Sequence, residues 1–147
     1  MIKFAEVREK TKVRNCYLSI PVQLAKENKK FMFSKVEKKG TRSKYENSIE
    51  WVRDANIVKL CHNLSNPTFP IRTNVLVEQY KVYLSDIGLL IYMYGKEIRK
   101  TILKNTIIGN VRSAIYDNLI ADVLTKKNEE LFYYKNDKNA QEIEFFY

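Results

Sequence analysis

The sequence predicts an α+β protein in which a helical module precedes a mixed module, and three observations lead to this prediction. Capping signals and apolar periodicity place helices in the first third of the chain. Runs of β-branched and aromatic residues further on are typical of strands. A polar segment with two prolines, residues 63–74, separates the two regions. We therefore predict one module over residues 1–72 and a second over residues 73–147.

Helices dominate the first module. Residues 2–15 show a weak helical pattern, and a clearer helix is predicted to begin at residues 19–21, where serine can cap the backbone and proline is tolerated in the first turn. A capping-box pattern at residues 34–37 predicts a short helix that ends at Gly40. A second capping box opens a predicted helix over residues 43–55, with an apolar face formed by Tyr45, Ile49 and Val52.

A strand follows these helices at residues 57–61, and a proline-containing return follows the strand. Three helices, the middle one short, and then a strand and a return have the order of a winged helix-turn-helix. In that fold the helix over residues 43–55 would be the recognition helix, and residues 59–69 would form the wing. The sequence therefore predicts a winged helix-turn-helix module over residues 1–72.

The second module begins with a predicted strand and a short helix. Residues 79–84 alternate between apolar and polar side chains, as a strand does. Asp86 can cap the helix that follows, and Gly95 can end it.

A longer helix and a hairpin complete the second module. Residues 110–127 predict an amphipathic helix, and residues 131–134 and 142–147 are predicted to pair as a β-hairpin. Because the sequence stops inside an apolar strand, we expect the chain to be a piece of a longer protein. The apolar row of the long helix consists of Val111, Ile115, Leu119 and Val123.

Composition argues against several classes of protein. No run approaches the roughly 18–20 apolar residues of a membrane helix, and charged residues interrupt the start of the chain, so we expect a soluble, cytoplasmic protein with no membrane contact. Cys16, Cys61 and the single histidine, His62, are too few and too poorly spaced for a zinc site. With one histidine and no G-x-S-x-G motif, the chain offers almost no residues for a Ser/His/Asp or Cys/His mechanism. We predict no metal, no cofactor and no catalytic residue.

The net positive charge of the chain lies entirely in its first half. Residues 1–73 hold 16 Lys and Arg against 7 Asp and Glu, a net charge of +9, whereas residues 74–147 hold 10 of each. Such an asymmetry is typical of a module that faces nucleic acid or an acidic partner. The start of the predicted recognition helix is especially basic, and we predict nucleic-acid contacts from this basic cluster: Lys38, Lys39, Arg42 and Lys44.

The outward face of the predicted recognition helix is poorly suited to specific contacts with base edges. With its apolar side turned inward, the helix presents Asn47, Glu50 and Asp54 outward, and the two carboxylates would be repelled by DNA phosphates. Contacts to DNA would therefore go to the phosphate backbone. The alternative is a protein-interaction or assembly module, in which the same basic cluster meets an acidic partner. The sequence leaves both hypotheses open.

Most of the chain resembles one known family. The stretches that carry the resemblance are residues 19–31 (SIPVQLAKENKKF), 39–42 (KGTR), 45–47 (YEN), 51 (W), 54–58 (DANIV), 80–90 (YKVYLSDIGLL) and 109–147. They resemble the conserved region of unknown function that follows the P-loop module in prokaryotic AAA-type ATPases. The chain itself has no G-x-x-x-x-G-K-[S/T] motif to hold a triphosphate.

The resemblance implies a winged helix followed by a fold similar to the PD-(D/E)xK nucleases. In that fold a carboxylate on a helix, a carboxylate on a hairpin and an E-x-K strand bind Mg²⁺. The helix position falls on Asp117 and the hairpin position on Glu144, while the E-x-K strand would lie beyond Tyr147. The second module would thus be an incomplete restriction-endonuclease-like module with a vestigial acidic pair. The resemblance implies a non-catalytic accessory domain, whose protein partner would be the missing ATPase module or another protein.

Overall fold

The computed structural model describes residues 7–146, which form five α-helices and one four-stranded mixed sheet. The predicted α+β class is therefore confirmed. The helices are α1 (Val7–Leu24), α2 (Arg42–Asp54), α3 (Ile87–Tyr94), α4 (Lys96–Leu103) and α5 (Gly109–Lys126). The strands are β1 (Val58–Leu64), β2 (Val75–Leu84), β3 (Phe132–Asn136) and β4 (Gln141–Phe146).

One sheet joins the two halves of the chain. Its strand order is β2-β1-β3-β4, in which β1 runs antiparallel to β2 and parallel to β3, and β3 runs antiparallel to β4. The β3–β4 pair is the hairpin that the sequence predicts near the end of the chain. The predicted module boundary, between residues 72 and 73, lies in the connection between β1 and β2, so it does not separate two sheets.

The main core lies between the sheet and the helices, and its periodic apolar positions explain why the helices pack there. Along α2, Tyr45, Ile49 and Val52 are buried, as the sequence predicts. A similar stripe on α1 is buried against the same cluster, because its members recur every three or four residues. This stripe consists of Val13, Cys16, Ile20 and Leu24.

The first module has fewer helices than the sequence predicts. Residues 7–15 of the predicted pattern and the helix predicted from residue 19 merge into α1, because their apolar stripe is continuous, and Pro21 therefore lies inside a helix. Residues 2–6 of that pattern lie outside the described residues. The predicted helix near residues 34–37 is only a single 3-10 turn, Phe33–Lys35. A Cβ on Gly40 would lie 2.2 Å from the Phe33 carbonyl oxygen, so this tight loop requires glycine. Where the winged-helix prediction expects three helices, the described residues therefore form two helices and one 3-10 turn.

Local signals place α3 correctly. The Asp86 carboxylate accepts a hydrogen bond from the Gly88 N–H at 2.8 Å and caps this helix, as predicted. Gly95 ends it with φ 93° and ψ 177°, a backbone conformation that only glycine adopts without strain. The helix α4 begins directly after this glycine and is not among the predicted helices. No helix within residues 7–146 is long and apolar enough to cross a lipid bilayer.

The orientation of α5 differs from the sequence prediction. Leu119 and Val123, two members of its predicted apolar row, are exposed, whereas Ala114, Asn118 and Ala121 are buried. Small side chains let the helix lie close to the sheet, where the Asn118 side chain bonds the backbone of β2. The buried face is therefore selected by close approach and hydrogen bonding rather than by the size of apolar side chains.

Candidate functional site

Each member of the predicted acidic pair is bonded to a buried lysine. Asp117 lies in the middle of α5, and its carboxylate forms an ion pair with Lys29, in the loop after α1. The Lys29 side chain is only 6% exposed, and its Nζ also donates to the Ser113 hydroxyl at 2.6 Å. Ser113 and Asp117 are one turn apart on α5, so both face the same ammonium group.

Glu144, on β4, is bonded to a second buried lysine. Lys81 projects from β2 with a side chain that is 3% exposed, and its Nζ donates to Glu144 Oε2 at 2.7 Å. A second carboxylate, that of Glu142, lies 3.7 Å from the same Nζ. The ammonium group also lies 4.5 Å from the centre of the Tyr133 ring, a cation–π contact that helps to offset its desolvation. The hydrogen bond to Glu144, the charge of Glu142 and the Tyr133 ring together make burial of this lysine tolerable.

The two ion pairs belong to one electrostatic cluster, which we define as Lys29, Lys81, Asp117 and Glu144. Lys29 is close enough to lower the pKa of Glu144, and the charges of Asp117 and Glu144 both raise the pKa of Tyr83, whose largest cause of elevation is burial. The structure therefore brings the two predicted carboxylates into one region. It also adds two lysines that the prediction does not contain.

The groups beside this cluster are held in their neutral forms. Burial raises the pKa of the Cys61 thiol to about 12, although the charge of Lys81 opposes this shift. Burial likewise raises the pKa of Tyr83 and of Tyr133. A thiol with so high a pKa carries almost no thiolate at neutral pH, so Cys61 is not an activated nucleophile.

The cluster does not fit the Mg²⁺ that the nuclease resemblance implies. A magnesium site needs oxygen ligands in near-octahedral positions, and here the two carboxylates are already bonded to ammonium groups. Within residues 7–146, no group of three or more His, Cys, Asp and Glu side chains comes together in a way that could hold a metal ion. The arrangement is that of an ion-pair network around two buried lysines.

The titration of Glu144 leads to a testable pH dependence. Burial alone would raise the pKa of this carboxyl, but the hydrogen bond and charge of Lys81 outweigh burial and lower the pKa below its ordinary value of 4.5. A carboxylate whose pKa falls on folding stabilises the folded state above its unfolded pKa and loses that effect as the pH falls through the folded pKa. We expect the difference in unfolding free energy between the wild type and Glu144→Gln to be constant near neutral pH and to shrink below pH 4.5. Urea unfolding from neutral pH to about pH 3 measures it, and a difference independent of pH would contradict the assignment.

The basic cluster is only partly free to bind a ligand. Lys38 and Lys39 are exposed, and they form no ion pair with other described residues. Both lie in the turn before α2, and Lys39 has a left-handed backbone with φ 63°. These two ammonium groups project from a surface turn next to a helix N-terminus, which is a favourable place for phosphate contacts.

The other two members of the basic cluster are engaged within the protein. The Arg42 guanidinium bonds Glu46 Oε1 at 3.0 Å and the Glu78 carbonyl oxygen at 2.6 Å, and it lies over the Tyr80 ring. Lys44 forms an ion pair with Glu37. The structure therefore leaves about half of the predicted basic cluster uncompensated.

Sequence reasoning misses both lysines of the ion-pair cluster. Lys81 carries a weak signal, because it is a single charge within the apolar strand run Tyr80–Leu84. Lys29 carries none, since it stands in a polar run, residues 26–30, that resembles a solvated loop. Their partners lie 63 and 88 positions away along the chain, which no local pattern can reveal.

The fold and this site define an α+β protein with a lysine-neutralised carboxylate cluster between its helices and its sheet. A model of a protein family, described as "Domain of unknown function (DUF8612)", matches residues 1–100, and the chain belongs to this family. The match includes Lys29, Lys81 and the basic cluster, but ends before Asp117 and Glu144. It carries no link to AAA-type ATPases or to nucleases. No curated protein and no solved structure matches the chain.

Proposed function

We propose that the chain is a non-catalytic accessory domain of a prokaryotic AAA-type ATPase and that it binds nucleic acid through its basic cluster. The proposal treats residues 1–72 as a winged-helix module and residues 73–147 as an incomplete nuclease-like module. The observation that carries it is the exposure of Lys38 and Lys39, which have no ion-pair partner among the described residues, in a chain of net charge +9. The ATPase context rests on the sequence resemblance alone.

The lack of catalysis in this proposal follows from the ion-pair cluster. Activation of water by Mg²⁺ needs free carboxylate oxygens, and Asp117 and Glu144 each direct an oxygen to a buried lysine. Their role in the proposal is to hold α5 and β4 against the rest of the fold.

The mode of binding follows from the charges on α2. Its exposed surface carries Asn47, Glu50 and Asp54, and the two carboxylates would be repelled from a DNA groove. Contacts from the turn before α2 would reach phosphates instead, which gives binding that depends on salt and little on base sequence.

Substitution of the two free lysines tests this proposal. We expect the Lys38→Ala, Lys39→Ala double variant to bind a fluorescein-labelled duplex of about 20 base pairs more weakly than the wild type. The plot of the logarithm of the association constant against the logarithm of the salt concentration should also be shallower, by about 2 in slope. Fluorescence anisotropy at several salt concentrations measures both effects. The matched control is Lys104→Ala, Lys127→Ala, which removes two exposed lysines at the ends of α4 and α5 and should retain the wild-type slope. Absence of wild-type binding at about 50 mM salt, or equal loss in both double variants, would refute the proposal.

A second candidate function is protein interaction through the same basic cluster. It is favoured by the mixed charge of this surface, because Glu46 compensates Arg42 and Glu37 compensates Lys44. Interspersed charges of this kind suit a protein partner of complementary pattern better than a uniformly negative duplex. This candidate predicts no measurable affinity for duplex DNA in the same titration.

A further inference from the structure

An open apolar groove lies away from the basic cluster, between the C-terminal half of α1 and the junction of α3 with α4. Its volume is about 590 Å³, and its walls carry large apolar side chains that point into solvent. Val22, on α1, is 60% exposed, and Tyr92, on α3, is 69% exposed. Leu18, one turn before Val22, extends the wall. Exposed apolar side chains grouped in this way mark a binding surface rather than a random scatter.

The two walls are fixed to each other. The Tyr94 hydroxyl donates a hydrogen bond to the Pro21 carbonyl oxygen at 2.7 Å, which ties the end of α3 to α1. Gly95 then turns the chain into α4 through a backbone conformation reserved for glycine. The groove is therefore preformed, so less conformational entropy is lost when a partner binds to it.

The charged residues that line the groove have the same sign. They are Lys96 and Arg99 on α4, both exposed, and neither forms an ion pair with another described residue. The nearest carboxylate in the sequence, Glu97, is bonded to Lys100 and does not line the groove. An apolar floor with a cationic rim is complementary to a surface that is apolar in the middle and acidic at its edge.

We propose that this α1–α3 groove binds an amphipathic helix of a partner protein, with aliphatic side chains in the groove and Asp or Glu beside Lys96 and Arg99. Helix-in-groove binding places apolar side chains of the partner, at i, i+3 or i+4, and i+7, in an apolar groove, and here Leu18, Val22 and Tyr92 line such a groove. A second copy of this chain is a poorer occupant, because a two-fold contact would place the cationic rims against each other in a protein whose net charge is already +9. DNA is a poorer occupant as well, since it offers no apolar ridge for the floor.

Three labelled peptides of about 16 residues, stapled as helices, provide the probe. The first has leucines at the anchor spacing and glutamates at the flanking positions, the second has lysines in place of the glutamates, and the third has alanines in place of the leucines. We expect the intact chain to bind the acidic leucine peptide at least about tenfold more tightly than either of the others. Fluorescence anisotropy measures the three affinities. Equal binding of the acidic and basic leucine peptides would overturn the proposal.

Substitutions in the chain locate the binding surface. Val22→Glu places a charge in the groove and should weaken binding of the acidic leucine peptide at least about tenfold. Val77→Glu changes an exposed valine on β2, away from the groove, and should leave the affinity for this peptide unchanged. Both side chains are exposed, so both variants should keep the wild-type melting temperature by circular dichroism. Equal effects of the two substitutions would refute the assignment of the groove.

A charge reversal distinguishes the proposed partner from its competitors. The Lys96→Glu, Arg99→Glu double variant should prefer the basic leucine peptide and should bind duplex DNA as the wild type does. Loss of DNA binding in this variant would show that the rim serves nucleic acid and would overturn the proposal. Sedimentation that shows a dimer dissociated by Val22→Glu would also overturn it, in favour of self-association. The peptide affinities and the sedimentation result do not depend on whether the basic cluster binds DNA.

Discussion

Replacement of Asn118 by leucine is expected to lower the free energy of unfolding by about 2–6 kcal/mol, because it orphans two buried backbone groups at about 1–3 kcal/mol each. Asn118 is fully buried on α5. Its Oδ1 accepts a hydrogen bond from the Leu84 N–H at 2.8 Å, and its Nδ2 donates to the Leu84 carbonyl oxygen at 3.0 Å. Leu84 lies on β2, an edge strand of the sheet, and no other strand within residues 7–146 can satisfy these groups.

Urea unfolding followed by circular dichroism measures this effect. Leucine has the same number of side-chain heavy atoms and the same branching as asparagine but bulkier methyl groups, so the loss reports the missing hydrogen bonds together with some overpacking. The matched control is Asn110→Leu, an exposed position in the first turn of α5, which should change stability by no more than about 0.5 kcal/mol. A loss below about 1 kcal/mol for Asn118→Leu would show that the side-chain bridge does not hold α5 on the sheet.

Local chemistry explains the part of the fold that the sequence predicts. The inward face of α2 follows from the 3.6-residue spacing of Tyr45, Ile49 and Val52, and all three are buried. The start and end of α3 follow from Asp86 and Gly95, whose roles depend on one hydrogen bond and one backbone angle. Signals of this kind lie within a few residues of the element that they define, so a single sequence contains them.

The rest of the fold depends on contacts between distant residues. The parallel pairing of β1 with β3 joins His62 to Phe132 and makes one sheet from both halves of the chain. The orientation of α5 depends on its bond to Leu84, 34 positions earlier, which overrides the apolar row of its own sequence. Periodicity finds an apolar face, but it cannot tell which face a distant strand will bind.

The candidate site shows the same division. The resemblance identifies Asp117 and Glu144, which the structure places in one electrostatic cluster, but it does not identify Lys29 and Lys81. Those lysines change the chemistry of the site, because they convert two carboxylates that could hold a cation into members of ion pairs. A pattern of acidic residues predicts where carboxylates gather, and only the fold reveals what neutralises them.

Removal of the Lys29 ammonium group is the second large effect that we expect. Lys29→Met keeps the aliphatic stem but leaves Asp117 and Ser113 without their shared donor, and breaking a buried ion pair in this way costs about 3–5 kcal/mol. The control is Lys100→Met on α4, which breaks an ion pair with Glu97 in which both side chains are largely exposed. Because solvent screens that pair, its loss should cost no more than about 1 kcal/mol. Urea unfolding of both variants gives the comparison.

A double-mutant cycle separates the ion pair from the packing of its members. If the loss in Lys29→Met arises from a carboxylate left without a partner, then Asp117→Leu in the same chain should restore most of the stability, because the buried charge is gone. The coupling energy between the two positions should then be about 2–3 kcal/mol. Additive losses would instead mean that each side chain stabilises the fold separately, through its own packing. In that case Asp117 would carry a charge that Lys29 does not neutralise, and the argument that this centre cannot accept a cation would lose its support.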